Sequence, residues 1–261
     1  MAARAMWKGR IRFGDVDVPV KLYAAVQGQD VHFRLLHEKD LQPVRQEMVN
    51  PETGKVVPYE DIQRAYQTEE GDLIVLGEDE LAELEPTASR DIEITRFVDP
   101  EVITHEWYDR PYYLGPDGSD TEYFALVAAL ERQKKEGIAR WVMRRKEYVG
   151  ALLAEHGYLM LITLRHAGEV IPVTALNAPK GRALDQREIN MAKQLVTALV
   201  GELDMTQFRD EYRDRVLELV EAKAAGKVVK FPKVERREEE GSLADMLARS
   251  VKATKQRRVR G

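Results

Sequence analysis

No cysteine occurs among the 261 residues, which excludes disulfides, thiolate catalysis and cysteine-ligated zinc and is compatible with a reducing cytoplasm. Long hydrophobic runs are missing too. The longest apolar stretch, around Tyr158 to Leu164, falls far short of the roughly 20 residues that a spanning helix needs. Met1 to Arg10 lacks the continuous apolar core of a secretory leader, so neither export nor membrane anchoring is expected. Catalytic signatures are equally scarce. There is no GxxxxGK(S/T) phosphate loop, GxGxxG fingerprint, HExxH helix or GxSxG elbow, which removes the usual basis for NTP hydrolysis, hydride transfer, zinc peptidase and serine hydrolase chemistry. The five histidines, His32, His37, His105, His156 and His166, show no metal-ligand spacing and read as structural. No metal, no cofactor and no enzymatic activity are expected.

An excess of positive charge is also absent. The formal net charge is −5 at pH 7, although affinity for nucleic acid comes mainly from lysine and arginine displacing counterions. The charges are segregated, however. Glu69, Glu70, Glu78, Asp79, Glu80, Glu83 and Glu85 crowd one stretch, and Arg140, Arg144, Arg145 and Lys146 another. Lys252, Lys255, Arg257, Arg258 and Arg260 make a basic tail. An acidic exterior around a basic channel gives such a balance. Composition alone fits an ordinary cytoplasmic enzyme as well.

What is present begins at Trp7. Ile11 and Phe13 alternate with Arg10, Arg12 and Gly14, and Val16, Val18 and Val20 resume beyond the glycine, the period-two pattern of half-buried strands. Pro19 has no N–H to give, which puts this element at a sheet edge or the lip of a barrel. Asp15 and Asp17 would share one side of a strand and could hold a divalent ion, but two solvated acids flanking a turn explain them more simply. Onward to about Arg182, short alternating runs are separated by turn signals such as Pro116-Asp117-Gly118 and His156-Gly157, which favours a β-barrel. Within it, runs over residues 31–36 and 54–59 flank the polar turn Asn50-Pro51-Glu52-Thr53-Gly54 and predict an extended β excursion over roughly residues 30–66. Arg34, Lys39, Arg45, Lys55 and Arg64 are spaced along it, as tracking a phosphate backbone requires.

Ser119 and Glu122 make a capping box before the stripe Tyr123, Leu126, Val127 and Leu130, with Gly137 as the stop. Ala139, Trp141 and Met143 then alternate with Arg140, Val142 and Arg144, predicting a strand with two arginines on one face. Tyr158 to Arg165 is apolar enough for a strand covered on both faces. After Pro179-Lys180-Gly181 the pattern turns helical. Asp185 with Glu188 opens a helix striped by Ile189, Ala192, Leu195, Val196 and Leu199. Asp204 with Gln207 opens a second, striped by Phe208, Tyr212, Val216, Leu219 and Val220 and ended by Gly226. These stripes fit core packing or a second subunit equally. A charged linker then leads to a short amphipathic helix capped at Ser242 and carrying Leu243, Met246, Leu247 and Val251, before the basic tail, whose composition is that of a disordered segment. The domain plan is a barrel core with its excursion over 1–182, a helical arm over 183–230, and a linker, short helix and tail over 231–261.

No RNP-type aromatic motif and no helix-turn-helix signature is visible, so binding that ignores base sequence fits better than base readout. Several of these blocks, in order, closely resemble the bacterial Ku family. They are residues 7–23, 33–37, the acidic Glu80-Leu81 run, 92–99, 109–114, 191–195, and 212–227. The resemblance implies a mainly β fold with α: a Ku-type barrel with an extended β bridge, a helical arm and a short tail. It also implies a homodimer whose barrels and bridges close into a ring threading the end of double-stranded DNA. Such a protein has no enzymatic activity and recruits an ATP-dependent DNA ligase for double-strand break repair by non-homologous end joining, in the cytoplasm on nucleoid DNA.

Carried over residue by residue, Arg34, Lys39, Arg45, Lys55 and Arg64 would meet phosphates first, and Arg140, Arg144, Arg145 and Lys146 second. Leu195, Leu199, Phe208 and Tyr212 would anchor the dimer, and Leu243, Met246, Leu247 and Val251 would dock the ligase. The chain departs from the family pattern at His166 and Gly168, where a tyrosine and an acidic residue are expected in a Leu164 to Val170 strand. It also lacks the cysteines that some relatives carry in the Arg45 to Gly54 turn, and its tail is short. A sequence-specific transcription regulator is the alternative, which would discriminate between DNA sequences. A nucleotidyl-transferring enzyme such as the ligase needs a KxDG lysine, which is missing.

Overall fold

Trp7, Gly9, Ile11 and Phe13 alternate with Lys8, Arg10 and Arg12, and this pattern becomes strand β1 (Trp7–Phe13), with Gly9 and Ile11 buried and the charged positions exposed. The chain reverses at Gly14, whose φ of 54° needs no Cβ, and Asp15, then returns as β2 (Val16–Ala24) in register from Phe13↔Val16 to Trp7↔Leu22. The computed structural model describes residues 4–177, 181, 183 and 185–227. Beyond β2 the chain leaves the sheet and forms β3 (Arg64–Gln67), β4 (Leu73–Leu76) and the short α1 (Glu78–Glu83). It re-enters as β5 (Asp91–Val98) and continues through β6 (Tyr108–Pro116), α2 (Asp120–Gln133), β7 (Glu136–Met143), β8 (Lys146–Glu155) and β9 (Tyr158–Leu164).

The seven long strands close into a barrel in the order β1-β2-β6-β9-β8-β7-β5, sealed by parallel pairing of β1 with β5 from Arg10↔Asp91 to Arg12↔Glu93. Strand β2 is therefore internal, not an edge. Pro19 falls where the β6 pairing stops: the register starts at Val20↔Pro116, and the Asp117 N–H donates to the Pro19 carbonyl at 3.1 Å as a last rung. The missing donor of Pro19 costs only that terminal position.

Inward residues from all seven strands make one core, with Ile11, Val20, Leu22, Ile92, Leu114, Leu152, Leu159 and Leu161 at 0% exposure. Helix α2 adds the expected stripe, Tyr123, Leu126, Val127 and Leu130, to this core. The Tyr123 hydroxyl donates to the Leu114 carbonyl at 2.5 Å and accepts from the Leu159 N–H at 2.9 Å, tying α2 to β6 and β9. Among the described residues this unit also buries one notable acid, Glu136, which accepts from the Tyr108 hydroxyl at 2.8 Å. Burial pushes the Glu136 carboxyl above its ordinary value, and burial beside that carboxyl pushes the Tyr108 phenol up as well.

Several local expectations are corrected. The Ser119 side chain makes no cap hydrogen bond, and α2 stops at Gln133 because Lys134 turns left-handed at φ 49°, while Gly137 lies buried inside β7 beneath Ile94 and Phe97. Strand β9 is covered on one face: Leu159, Leu161 and Thr163 are buried, but Met160, Ile162 and Leu164 are only half-buried. The corner with His166 and Gly168 is a 3-10 turn instead of a strand, held by the His166 N–H donating to the Glu169 carboxylate at 2.7 Å. The excursion has far less β structure than expected, with two isolated bridges, Leu36↔Pro43 and Val49↔Val56, before the β3–β4 pair.

A second unit contains α3 (Gln186–Leu199) and α4 (Glu211–Ala224). Helix α3 begins with the expected capping box: Asp185 accepts from the Glu188 N–H at 2.8 Å and Glu188 from the Asp185 N–H at 3.1 Å. The second start is displaced. Asp204 caps only one 3-10 turn, Met205–Gln207, and Asp210 is the residue that caps α4, accepting from the Arg213 N–H at 3.0 Å. Phe208 thus precedes the helix it was expected to stripe. Gly226, at φ 68°, follows the helix end as expected. The linker beyond Lys227, the Ser242 helix with Leu243, Met246, Leu247 and Val251, and the basic tail lie outside the described residues.

Candidate nucleic-acid interface

The excursion carries its basic residues on two tight reversals. In the first, the His37 N–H donates to Gln42 at 2.8 Å and the Val44 N–H to Leu35 at 3.1 Å, with Leu41 left-handed at φ 56°. Lys39 sits at the tip. An isolated bridge, Leu36↔Pro43, closes this reversal, with Arg34 before it and Arg45 after it. Arg45 pairs with Glu47 at 2.6 Å. In the second reversal the Asn50 carboxamide accepts from the Glu52 and Thr53 N–H groups at 2.9 and 3.2 Å, and Gly54 takes φ 67°. The Asn50 N–H then donates to the Lys55 carbonyl at 2.9 Å, fixing Lys55 at its end. Arg64 opens β3. All five side chains are exposed, and Arg34, Lys39, Lys55 and Arg64 have no ion pair among the described residues.

The barrel set does not share one face. Arg140 is exposed on the outer side of β7, between the buried Ala139 and Trp141. Arg144 is not on the strand at all. It forms with Arg145 the two-residue turn between Met143 and Lys146, at φ 53° and 63°. Such a turn favours Asn-Gly, and each Cβ in it costs about 1–2 kcal/mol. Lys146 lies over the Tyr148 ring at 5.6 Å, and Tyr148 stacks on the buried Trp141 at 5.4 Å. Sequence reasoning passed over Arg90, which lines a cleft with Arg144 and Arg145. Its only sequence signal is its place immediately before β5.

Nearby acids are engaged. Asp17 accepts from Arg10 at 2.6 and 2.7 Å and from Arg12 at 3.4 Å, and the Arg10 hydrogen bond holds its carboxyl below the ordinary value. Asp15 sits on the turn, so the two acids do not make a divalent-cation pair. Lys21 and Lys8 hold Asp117 low in the same way, from 2.7 and 3.0 Å. All five histidines are exposed, and no cluster of metal-ligating side chains occurs among the described residues.

Apolar exposure is large in both units. On the arm, Leu195 is half-buried, and Leu199, Phe208 and Tyr212 are 66–71% exposed. In the excursion Phe33, Leu35, Leu41, Met48, Tyr59 and Leu73 are all at least 65% exposed. No helix among the described residues is long and apolar enough to cross a membrane.

Comparison with known proteins agrees with this architecture. The family model described as "Ku: Ku70/Ku80 beta-barrel domain" matches residues 12–191, from the end of β1 through the excursion and the other barrel strands into α3. The chain is 37% identical over 241 residues to the non-homologous end joining protein Ku of Coxiella burnetii, covering 90% of this chain and 88% of that one. It is 35% identical over 260 residues to the protein of that name from Pseudomonas aeruginosa, covering 96% and 89%. The corresponding Archaeoglobus fulgidus protein is 33% identical over 256 residues, covering 97% and 100%. A closed barrel interrupted by a long exposed excursion, matched by the family model and by relatives along nearly the whole chain, places this protein in the Ku family.

Proposed function

We propose that this protein binds the ends of double-stranded DNA without reading base sequence, as a ring-shaped homodimer acting in non-homologous end joining. The observation that carries the reading is the excursion: between β2 and β5, consecutive barrel strands that flank β1, the chain projects residues 25–90, with unpaired basic side chains and unburied apolar ones on the same segment. Arg34, Lys39, Arg45, Lys55 and Arg64 supply the phosphate contacts, which position a protein on DNA without specifying sequence. Leu195, Leu199, Phe208 and Tyr212 supply the apolar anchors of the dimer, of the size class expected for obligate assemblies, on the order of 2,000 Å² or more. The segment with Leu243, Met246, Leu247 and Val251 docks an ATP-dependent DNA ligase through those apolar side chains. The role is that of a scaffold in the cytoplasm, and the chemistry belongs to the ligase.

Competition between linear and covalently closed circular duplexes of equal length tests this. A closed ring admits DNA only at an end, so circles should compete poorly at every salt concentration at which linear DNA binds. Affinity for linear DNA should fall with log salt at roughly −0.9 per phosphate neutralised. Equal competition by circles would overturn the ring.

A further inference from the structure

The Arg144-Arg145 turn is sterically unfavourable, and the fold draws little from its side chains. Arg145 reaches Glu85 at 3.4 Å from an exposed position, and Arg144 has no ion pair among the described residues. Arg90 stands beside this turn at the entry to β5. Its backbone is clamped to β1 by the Arg10 N–H, which donates to the Arg90 carbonyl at 2.8 Å, and its guanidinium has no ion pair among the described residues. The three arginines line one cleft of about 590 Å³, walled on its apolar side by Trp7 and Pro86 and containing a single carboxylate, Glu85. The volume suits a small-molecule-sized group.

We infer that this cleft is a subsite for a phosphomonoester, the group carried by a 5′-phosphorylated DNA terminus. The inference rests on the end-binding reading and adds a chemical preference to it. Three guanidiniums against one carboxylate leave a surplus that suits a phosphomonoester, close to a dianion at neutral pH, better than a backbone diester with its single charge. Guanidinium forks also match phosphate oxygens in pairs. The subsite belongs to the barrel and is separate from the bases of the excursion.

The test measures binding of the full chain to two blunt duplexes identical except for a 5′-phosphate or a 5′-hydroxyl. The phosphorylated duplex should bind about tenfold tighter, as charge-assisted hydrogen bonds to one extra group allow. Arg90→Gln should erase that preference and leave affinity for the hydroxyl-ended duplex unchanged. Arg144→Asn with Arg145→Gly should also erase it while raising Tm, because the turn gains the residues its backbone favours; a merely structural role for the arginines would lower Tm. Millimolar 5′-dAMP identifies the source: loss of the preference shows that free phosphomonoesters occupy the cleft too, and its survival assigns the cleft to DNA termini. Equal affinity of the wild type for both duplexes, or an undiminished preference in Arg90→Gln, would overturn the subsite. Failure of the end-binding reading would look different, with neither duplex bound or with circles competing as well as linear DNA.

Discussion

The barrel and the excursion use the same kinds of apolar residue and treat them oppositely. Ile11, Leu22, Ile92, Leu114 and Leu161 are fully buried, while Leu35, Leu41, Met48 and Leu73 remain at least 65% exposed. The barrel's alternating faces close on one another, so each inward leucine contributes roughly 2 kcal/mol by leaving water. The excursion offers only two isolated bridges and one two-stranded sheet, and such a sheet has no opposite layer in which to bury its side chains. One region is stabilised by itself, and the other awaits DNA and a second subunit under the function proposed above.

The sharpest way to break this contrast is to truncate one leucine in each region. Leu161→Ala should lower unfolding free energy by about 2–5 kcal/mol in urea titration, because the barrel collapses only partly into the cavity. Leu35→Ala should change it by no more than about 0.5 kcal/mol. Comparable losses would mean that the excursion shares the barrel's cooperative core. A second experiment acts on charge. Arg34→Glu, Arg45→Glu and Lys55→Glu together should weaken DNA-end affinity by more than about tenfold and flatten the salt dependence, with barrel Tm unchanged. Unaltered end binding at moderate salt would move the contact surface onto the barrel.

The smallest expected effect is electrostatic and internal to the barrel. The folded-state pKa of Glu136 is raised, so its contribution to stability is fully present below the ordinary carboxylate range and is lost as pH rises through the raised folded value. Glu136→Gln keeps an acceptor for Tyr108 and removes the titration. The variant's Tm advantage over the wild type should therefore grow between acid and neutral pH. A gap that is constant with pH would show that the carboxyl is ionised at no cost in the fold.

Where one residue pattern had one structural solution, the sequence was legible. The alternation around Ile11 and Val18 could only be a half-buried hairpin, and the Tyr123-Leu126-Val127-Leu130 stripe could only face a core. The Asp185-Glu188 box capped its helix because nothing nearby competed. The misreadings have local causes. Gly137 is a glycine in strand β7 because the Phe97 ring and Ile94 lie over it, and Lys134 took the left-handed role that a glycine was expected to fill. Asp204 satisfied the N-cap pattern, yet Asp210 satisfied it again six positions later, and only the latter opens an α-helix. Arg144 read as a strand residue because a two-residue turn of arginines contradicts turn chemistry. In the candidate interface, the meeting of Arg90 with Arg144 depends on neighbouring strands far apart in sequence.

Parallel closure of β1 onto β5 has a kinetic consequence. The barrel cannot be sealed until the chain ends on either side of residues 25–90 have found each other, so the final strand pairing is a long-range event and folding should be slow for a protein of this size. The equilibrium penalty is nonetheless mild. Loop-closure entropy grows only with the logarithm of length, and halving the excursion would alter it by about 0.6 kcal/mol. Barrel stability therefore places almost no constraint on the length of the excursion, leaving its reach free to be set, under the function proposed above, by the diameter of the duplex.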